Sequence, residues 1–388
     1  MPEAGDLSAE FLRLACLTYG DERRGAEAER LLAAHPEVAT ASAATMAVTG
    51  EADALAAALA ADPASARAQT GPYQWEPLLY LAYGRVPSRD PLRAARLLLD
   101  HGADPDAGYL WDGLSPPFTA LTGVFGGGER AEPPHPQSLE LARLLLEAGA
   151  DPNDAQTLYN RGLRGDDTAY LELLFEYGLG RDSTGPWSAR LGPALPTPAQ
   201  MLQDQVLTAA RSSRPRRLKM LIDHGADVNG HGTHHPIFGG RTAHDLAVLG
   251  GHTEVADLLL AAGAASALDE TDLLLAAVVR ADTASATRLA GHLPQALARM
   301  PHLVAHAAAN GTPESVQLAV RLGFDVNHLG RAAALHEAAV SGDLAMVTTL
   351  VELGADPALR DRDHDAPAQG WAEHGGHQEV AAYLARLT

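Results

Sequence analysis

Cysteine is all but missing from this chain of 388 residues: Cys16 stands alone, which rules out a disulfide framework and a thiolate-held metal cluster. Aromatic residues make up only 5%. Lysine occurs once, at Lys219, and isoleucine twice, at Ile222 and Ile237, which with the abundant alanine is the composition of a GC-rich bacterial coding sequence. Basic charge is short as well, 29 Lys and Arg against 49 Asp and Glu, for a net charge of −20 spread along the chain. Such a field repels phosphate backbones and anionic membranes, so it argues against unaided binding of nucleic acid or lipid headgroups and favours a basic partner. The one dense basic run, "RSSRPRRLK" at 211–219, reads as a solvated loop and the exposed start of a helix. No apolar run is long enough to cross a bilayer, and the first residues lack the pattern of a secretory signal. The expectation is a soluble protein of the reducing cytoplasm.

What the chain does have is repetition. At 46% hydrophobic and 20% charged residues it can bury a large core. "LLLDHGADPD" at 97, "LLLEAGADPN" at 144, "MLIDHGADVN" at 220 and "TLVELGADPA" at 349 restate one string, and "AVRLGFDVN" ends at Asn327 in the same way. Each follows apolar residues at helical spacing, such as Val347, Leu350 and Val351, and closes with Gly and then Asp or Asn, the chemistry of a helix C-cap entering a turn. Gly251 to Gly263, Gly311 to Gly323 and Gly342 to Gly354 are each separated by twelve positions, room for one short helix between two tight turns. "GGHTEVADLL" at 250 and "GGHQEVAAYL" at 375 repeat that helix nearly word for word.

These residues resemble the ankyrin-repeat family, whose unit of about 33 residues reads T-P-L-H-x-A, helix, turn, helix and a G-A-D-x-N hairpin. "AALHEAAVSGDLAMVTTLVELGADPALRD" at 333–361 matches the unit most fully, with His336 at the family's histidine. The resemblance implies that this imidazole bonds to backbone and ties adjacent loops. Departures are frequent: Thr-Pro is mostly lost, and "RTAHDLA" puts Asp245 where the histidine would fall. "LLAAHPEVA" at 31, "LAADPASA" at 59 and "LAGHLPQAL" at 289 replace the hairpin by a helix that stops before proline. The expected fold is an all-α ankyrin-repeat α-solenoid of about eleven helix-turn-helix units, with short hairpin loops and a few long insertions. On this reading residues 1–388 form one solenoid: degenerate repeats over 1–70, aromatic-rich insertions over 71–200, regular repeats over 201–360 and a capping repeat over 361–388.

Insertions make the array individual. "GYLWDGLSPPF" at 108–118, "GGGERAEPPHPQ" at 126–137 and the segment from 181, "RDSTGPWSARLGPALPTP", read as projecting loops. Aromatics concentrate between 73 and 187; Tyr80, Tyr83 and Phe175 read as core, whereas Tyr73, Trp75, Tyr109, Trp111 and Trp187 are expected in loops, with Phe118 beside them. They are either anchors of a binding surface or rings that hold their own loops down. "YNRGLRGDDTAYLELL" at 159–174 gathers Arg161, Arg164, Asp166 and Asp167 at a turn, where an Asp caps the following helix or the charges orient a polar ligand. His231, His234 and His235 stand in a finger, "GHGTHHPIFGG", between two repeats; adjacent imidazoles on such a finger make a poor zinc site, and no metal or cofactor is expected. "DRDHDAP" at 361–367 reads as an acidic hairpin tip, with a divalent-ion site as the lesser alternative.

Nucleophile elbow, P-loop, dinucleotide fingerprint and H-E-x-x-H are all absent from the sequence. The leading function is therefore a non-catalytic scaffold that presents a concave surface of hairpins and first helices to another protein, as the resemblance implies. Two further readings stay open. The aromatic segments of 73–187 roof a small-molecule pocket with Arg161 and Asp167 at its polar end, making the protein a metabolite binder or an unusual enzyme. Alternatively, the 17 histidines gain charge near pH 6 and weaken the acidic field.

Overall fold

The α-helices described are short, 6 to 14 residues, and polar side chains fix where several of them begin. Asp90 accepts the amide of Arg93 at 3.1 Å, Asp282 that of Ser285 at 3.0 Å, and Asp343 that of Met346 at 2.9 Å. Each bond satisfies an amide that a helix start leaves without a partner. Helices of this length are marginal alone, so their stability comes from packing one apolar face. The computed structural model describes residues 4–19, 24–163, 165–182 and 185–387. Arg164 lies outside them.

Among the described residues, 22 of 24 α-helices fall in chain order into eleven pairs; Pro186–Leu191 and Leu293–Arg299 are additions. The chain divides into two compact units, residues 1–208 with 216–233 and residues 209–215 with 234–388. In the first unit Ala43–Thr49, Pro77–Tyr83, Ala120–Phe125 and Ala155–Gly162 stack in sequence, and Ala52–Ala61, Pro91–Asp100, Ser138–Glu147 and Ala169–Glu176 form the second layer. In the second unit Ala243–Leu249, Glu270–Val279, Leu303–Asn310, Ala334–Ser341 and Ala368–His374 stack likewise, with Pro313–Arg321, Leu344–Glu352 and Gln378–Leu384 behind them. This is an all-α repeat solenoid. Fully buried alanines, among them Ala94, Ala276, Ala277, Ala338 and Ala339, let neighbouring helices approach, while Leu55, Leu98, Leu274 and Leu350 fill the space between.

One form of helix exit recurs. Gly263, Gly323 and Gly354 have φ of 85°, 96° and 93°, the left-handed conformation that a side chain resists, and their amides return to the carbonyls of Leu260, Val320 and Val351. Where an aspartate follows the G-A or G-F it closes the turn: Asp104, Asp151, Asp227, Asp325 and Asp356 each accept the amide two residues on at 2.9 Å. Neighbouring tips are then laced together. Asp106 accepts the amide of Asp151 at 2.9 Å, Asn153 that of Gly180 at 2.9 Å, and Asn327 that of Asp356 at 2.8 Å.

His336 performs a related task inside the second unit. Its Nδ1 accepts the amide of Ala333 at 3.3 Å, and its Nε2–H donates to the carbonyl of Ala366, 3.1 Å away in the next repeat. Replacing it by alanine leaves two backbone groups unpaired in a site that is 1% exposed. His336→Ala is expected to cost about 2 kcal/mol, read from the urea midpoint. A change under about 0.5 kcal/mol would deny it this role.

Several segments differ from the expectation. Residues 108–118 are not a loop: Gly108–Trp111 (β1) and Leu114–Thr119 (β2) form an antiparallel hairpin, with Tyr109 opposite Phe118. The turn Asp112-Gly113 has φ of 48° and 75°, and the Asp-Gly pair with flanking aromatics is the reason the segment pairs. Tyr109 and Trp111 therefore sit on a strand. Trp187 is not in a loop either, since Pro186 opens the helix Pro186–Leu191. After "LLAAHP" and "LAADP" the proline opens a 3-10 turn, Pro36–Thr40 and Pro63–Ala66, but in the third such unit Pro294 lies in the first turn of the added helix Leu293–Arg299.

Candidate functional site

The aromatic residues of 73–118 form one connected stack in the first unit. Trp75, 6% exposed, has ring centroids of Tyr73, Tyr80, Tyr83 and Tyr109 at 4.7, 5.3, 5.1 and 4.9 Å. Tyr109 stacks in turn on Phe118 at 5.5 Å, and Trp111 leans on Phe118 at 5.6 Å. Hydroxyls fix the stack to backbone: Tyr80 donates to the Thr70 carbonyl at 2.8 Å and accepts the Tyr73 amide at 3.1 Å, and Tyr83 donates to the Thr119 carbonyl at 3.0 Å. The base of the hairpin is anchored by buried Asp154, which accepts from the Thr119 hydroxyl and, at 2.8 Å, from the Thr157 amide. At its other end Ser115 donates to the Ala194 carbonyl at 2.9 Å.

Beside this stack lies a solvent-open cleft of about 440 Å³. Tyr73, Trp75 and Tyr109 form one side and Trp187 with Arg190 another, while Glu76, Asp104 and Asp106 supply carboxylates. Trp187 is held by its indole N–H, which donates to the Asp106 carbonyl at 2.8 Å, and the Arg190 guanidinium lies 5.1 Å from its ring. Burial pushes the Asp106 carboxyl up to about 7; the Asp151 amide opposes the shift, and the nearby Asp104, Asp151 and Asp154 carboxylates add to it.

The sign of that shift gives a prediction. Asp106 titrates near 3.9 in an unfolded chain, so between that pH and about 7 the folded state holds a proton that the unfolded state has lost. Stability is expected to fall across this window as pH rises, by roughly 2 kcal/mol. Asp106→Asn keeps an acceptor for Asp151 and should remove the slope. Urea unfolding at pH 4.5, 6 and 8 checks this, and equal slopes in the two proteins would refute it.

Not all the sequence candidates meet here. Arg161 pairs with Asp167, donates to the Phe125 carbonyl at 3.4 Å and lies 5.3 Å from the Tyr170 ring; neither member of the pair lines the cleft. Asp167 accepts the Ala169 amide at 3.0 Å at the start of Ala169–Glu176, whereas Asp166 accepts the amides of Arg216 and Arg217 at 3.0 and 2.8 Å. The two carboxylates thus serve different helices, and the pocket reading loses its polar end. Trp111 and Phe118 also lie outside the cleft lining. Glu76, Asp104, Asp106 and Arg190 were missed by sequence reasoning. The G-A-D string named Asp104 as a turn residue, and nothing local marks its neighbours as convergent.

The histidine finger turns on His234, at φ 56°, and His235 accepts the Ile237 amide at 3.2 Å to start a 3-10 turn. Among the described residues no group of three or more His, Cys, Asp or Glu side chains is placed to hold a metal ion. Titration of the intact protein with zinc is expected to give no heat above background. A stoichiometric heat lost in His231→Ala would overturn this. At the acidic tip of 361–367, Asp361 would be raised by burial, but the Trp371 indole N–H and the amides of His364, Asp363 and Ala366 hold it below the usual carboxylate range. Four donors from this chain organise that carboxylate. Burial likewise pushes His135 down to about 4, so this imidazole does not gain charge near pH 6, and burial lowers His252, His302 and His306.

Residues 332–362 match the family described as Ankyrin repeat. The Notch-regulated ankyrin repeat-containing protein of Xenopus laevis is 34% identical over 99 residues, covering 22% of this chain and 82% of that protein. The chain belongs to the ankyrin-repeat family. The Xenopus tropicalis counterpart is 40% identical over 68 residues, 16% of this chain and 54% of that protein. The E3 ubiquitin-protein ligase Ufd4 of Drosophila melanogaster is 42% identical over 80 residues, 20% of this chain but only 3% of the ligase. In this ankyrin-repeat protein the matched segment contains His336 and the exit at Gly354. The hairpin β1–β2 at 108–119 and the helix at 186–191, which frame the cleft, lie outside it. No helix among the described residues is long and apolar enough to cross a membrane.

Proposed function

We propose that this protein is a non-catalytic scaffold that binds another protein through the concave surface of its hairpin tips and first helices, and that the partner presents a basic surface. The supporting observation is that within each unit tips are closed by an aspartate at 2.9 Å and a tip side chain accepts a backbone amide of the next tip, Asp106 from Asp151 in the first unit and Asn327 from Asp356 in the second. Such tips are held in place before a partner arrives, so little ordering entropy opposes association. The charge of −20 supplies long-range attraction for a basic partner and argues against nucleic acid and anionic membranes. With one buried thiol and no disulfide partner, the reading places it in the reducing cytoplasm.

Affinity capture with cross-linking from the native cell, at low and high salt, tests this reading. A partner of basic surface, captured less efficiently as salt rises, is the expected result. Capture that ignores both salt and charge reversal at Asp227 and Asp356 would contradict it.

A further inference from the structure

We infer that the cleft between the Tyr73–Trp75–Tyr109 stack and Trp187 receives a cationic side chain, arginine or lysine, from an extended basic segment of the partner protein. This rests on the scaffold reading above and names the point of contact.

Three observations converge on a cation. Tyr73, Tyr109 and Trp187 are each only partly buried, so aromatic surface remains available in the cleft, and aromatic faces attract a guanidinium or ammonium group. Glu76, Asp104 and Asp106 line the same space, and among the described residues none of the three is in an ion pair. Finally, the wall already holds such a group: the exposed Arg190 guanidinium rests 5.1 Å from the Trp187 ring and is in no ion pair among the described residues. The chain's own arginine thus shows the chemistry that this surface accepts.

Size and access argue for a segment of protein. A cleft of about 440 Å³, open to solvent, holds a long side chain with the backbone on either side of it. A bare cation would leave most of the space empty. The aromatic walls also favour the stem of arginine or lysine, whose methylenes lie along rings while the charge reaches a carboxylate. The field of the whole chain steers a basic segment toward such a site.

The test uses the full chain and a blocked pentapeptide with one arginine between glycines, against the same peptide with citrulline, followed by tryptophan fluorescence and calorimetry. Arginine is expected to bind at least about tenfold more tightly than citrulline. Glu76→Gln should weaken it about fivefold, Tyr73→Leu similarly, and Tyr73→Phe should retain it. Glu254→Gln, an exposed carboxylate of the second unit, should leave binding unchanged. Urea midpoints establish that each variant is folded, and Glu76→Gln, which keeps an acceptor for the Asp104 amide, decides the matter should Tyr73→Leu unfold. Equal binding of arginine and citrulline peptides overturns the inference. So do equal losses in Glu76→Gln and Glu254→Gln, which would mean a diffuse field, or binding of arginine amide as tight as the peptide, which would mean a free small cation. Cross-linked capture separates this failure from failure of the scaffold reading. A partner retained by Glu76→Gln and Tyr73→Leu removes the cleft and leaves the scaffold, whereas peptide binding with no captured partner removes the scaffold.

Discussion

Arg217→Ala is expected to lower the stability of the first unit by about 3–5 kcal/mol. Arg217 is 0% exposed, the largest fully buried side chain among the described residues. Its guanidinium donates to the carbonyls of Gly162, Arg161 and Asp167 at 3.2, 3.2 and 3.3 Å and lies 5.6 Å from the Tyr170 ring. The Arg161 and Gly162 carbonyls belong to the exit of Ala155–Gly162, where a helix leaves acceptors over, and the Asp167 carbonyl lies just before Ala169–Glu176, so one side chain ties the end of one helix to the start of the next. Alanine removes the donors and opens a cavity. Arg217→Met fills the volume without the bonds and is expected to recover part of the loss; Arg217→Lys keeps the charge but cannot span three carbonyls with a compact ammonium. Urea unfolding combined with hydrogen exchange at amides 155–176 checks this. A shift under about 1 kcal/mol would mean that water replaces the guanidinium at little cost.

Trp75→Ala should destabilise by a comparable amount, about 3–5 kcal/mol. Four rings surround the indole within 5.3 Å, and no other side chain in the stack touches as many. Loss of the indole frees Tyr109, and with it the register of the hairpin against Phe118. Trp75→Phe keeps an aromatic face and is expected to cost about 1–2 kcal/mol, and Trp111→Ala, half-buried on the hairpin, about 1 kcal/mol. Near-ultraviolet circular dichroism together with urea midpoints distinguishes these variants. Should Trp75→Ala leave both unchanged, the rings do not hold the segments of 73–118 in place.

The regular half of the chain was legible because its signals are local. A glycine twelve positions after another, an aspartate two residues past it and a histidine at 336 each act within a few residues, through a left-handed turn, an Asx bond or a bond to nearby backbone. The hairpin was missed although Asp112-Gly113 between Trp111 and Leu114 is a local turn signal, because the Gly, Pro, Ser and Asp content of 108–118 reads as a loop. The assignment of Asp166 was not visible. Its partners are the amides of residues 216 and 217, some fifty positions away, and a capping aspartate looks the same in sequence whichever helix it caps. Arg161 with Asp167 likewise reads as a ligand clamp until the carbonyl of Phe125 and the ring of Tyr170 are seen beside it.

What sequence alone determined is the periodic part: short paired helices, their glycine exits, the aspartate-closed tips and the acidic charge. Each follows from bonds between residues close in the chain or from sums over its composition. Only tertiary structure decided which aromatics meet, that Trp187 lies on a helix and faces the cleft, and that Glu76, Asp104 and Asp106 share one open space with it. Glu76 stands before the helix pair Pro77–Tyr83 and Pro91–Asp100, Asp104 and Asp106 after it, and Trp187 on an inserted helix; packing, not spacing along the chain, brings them together.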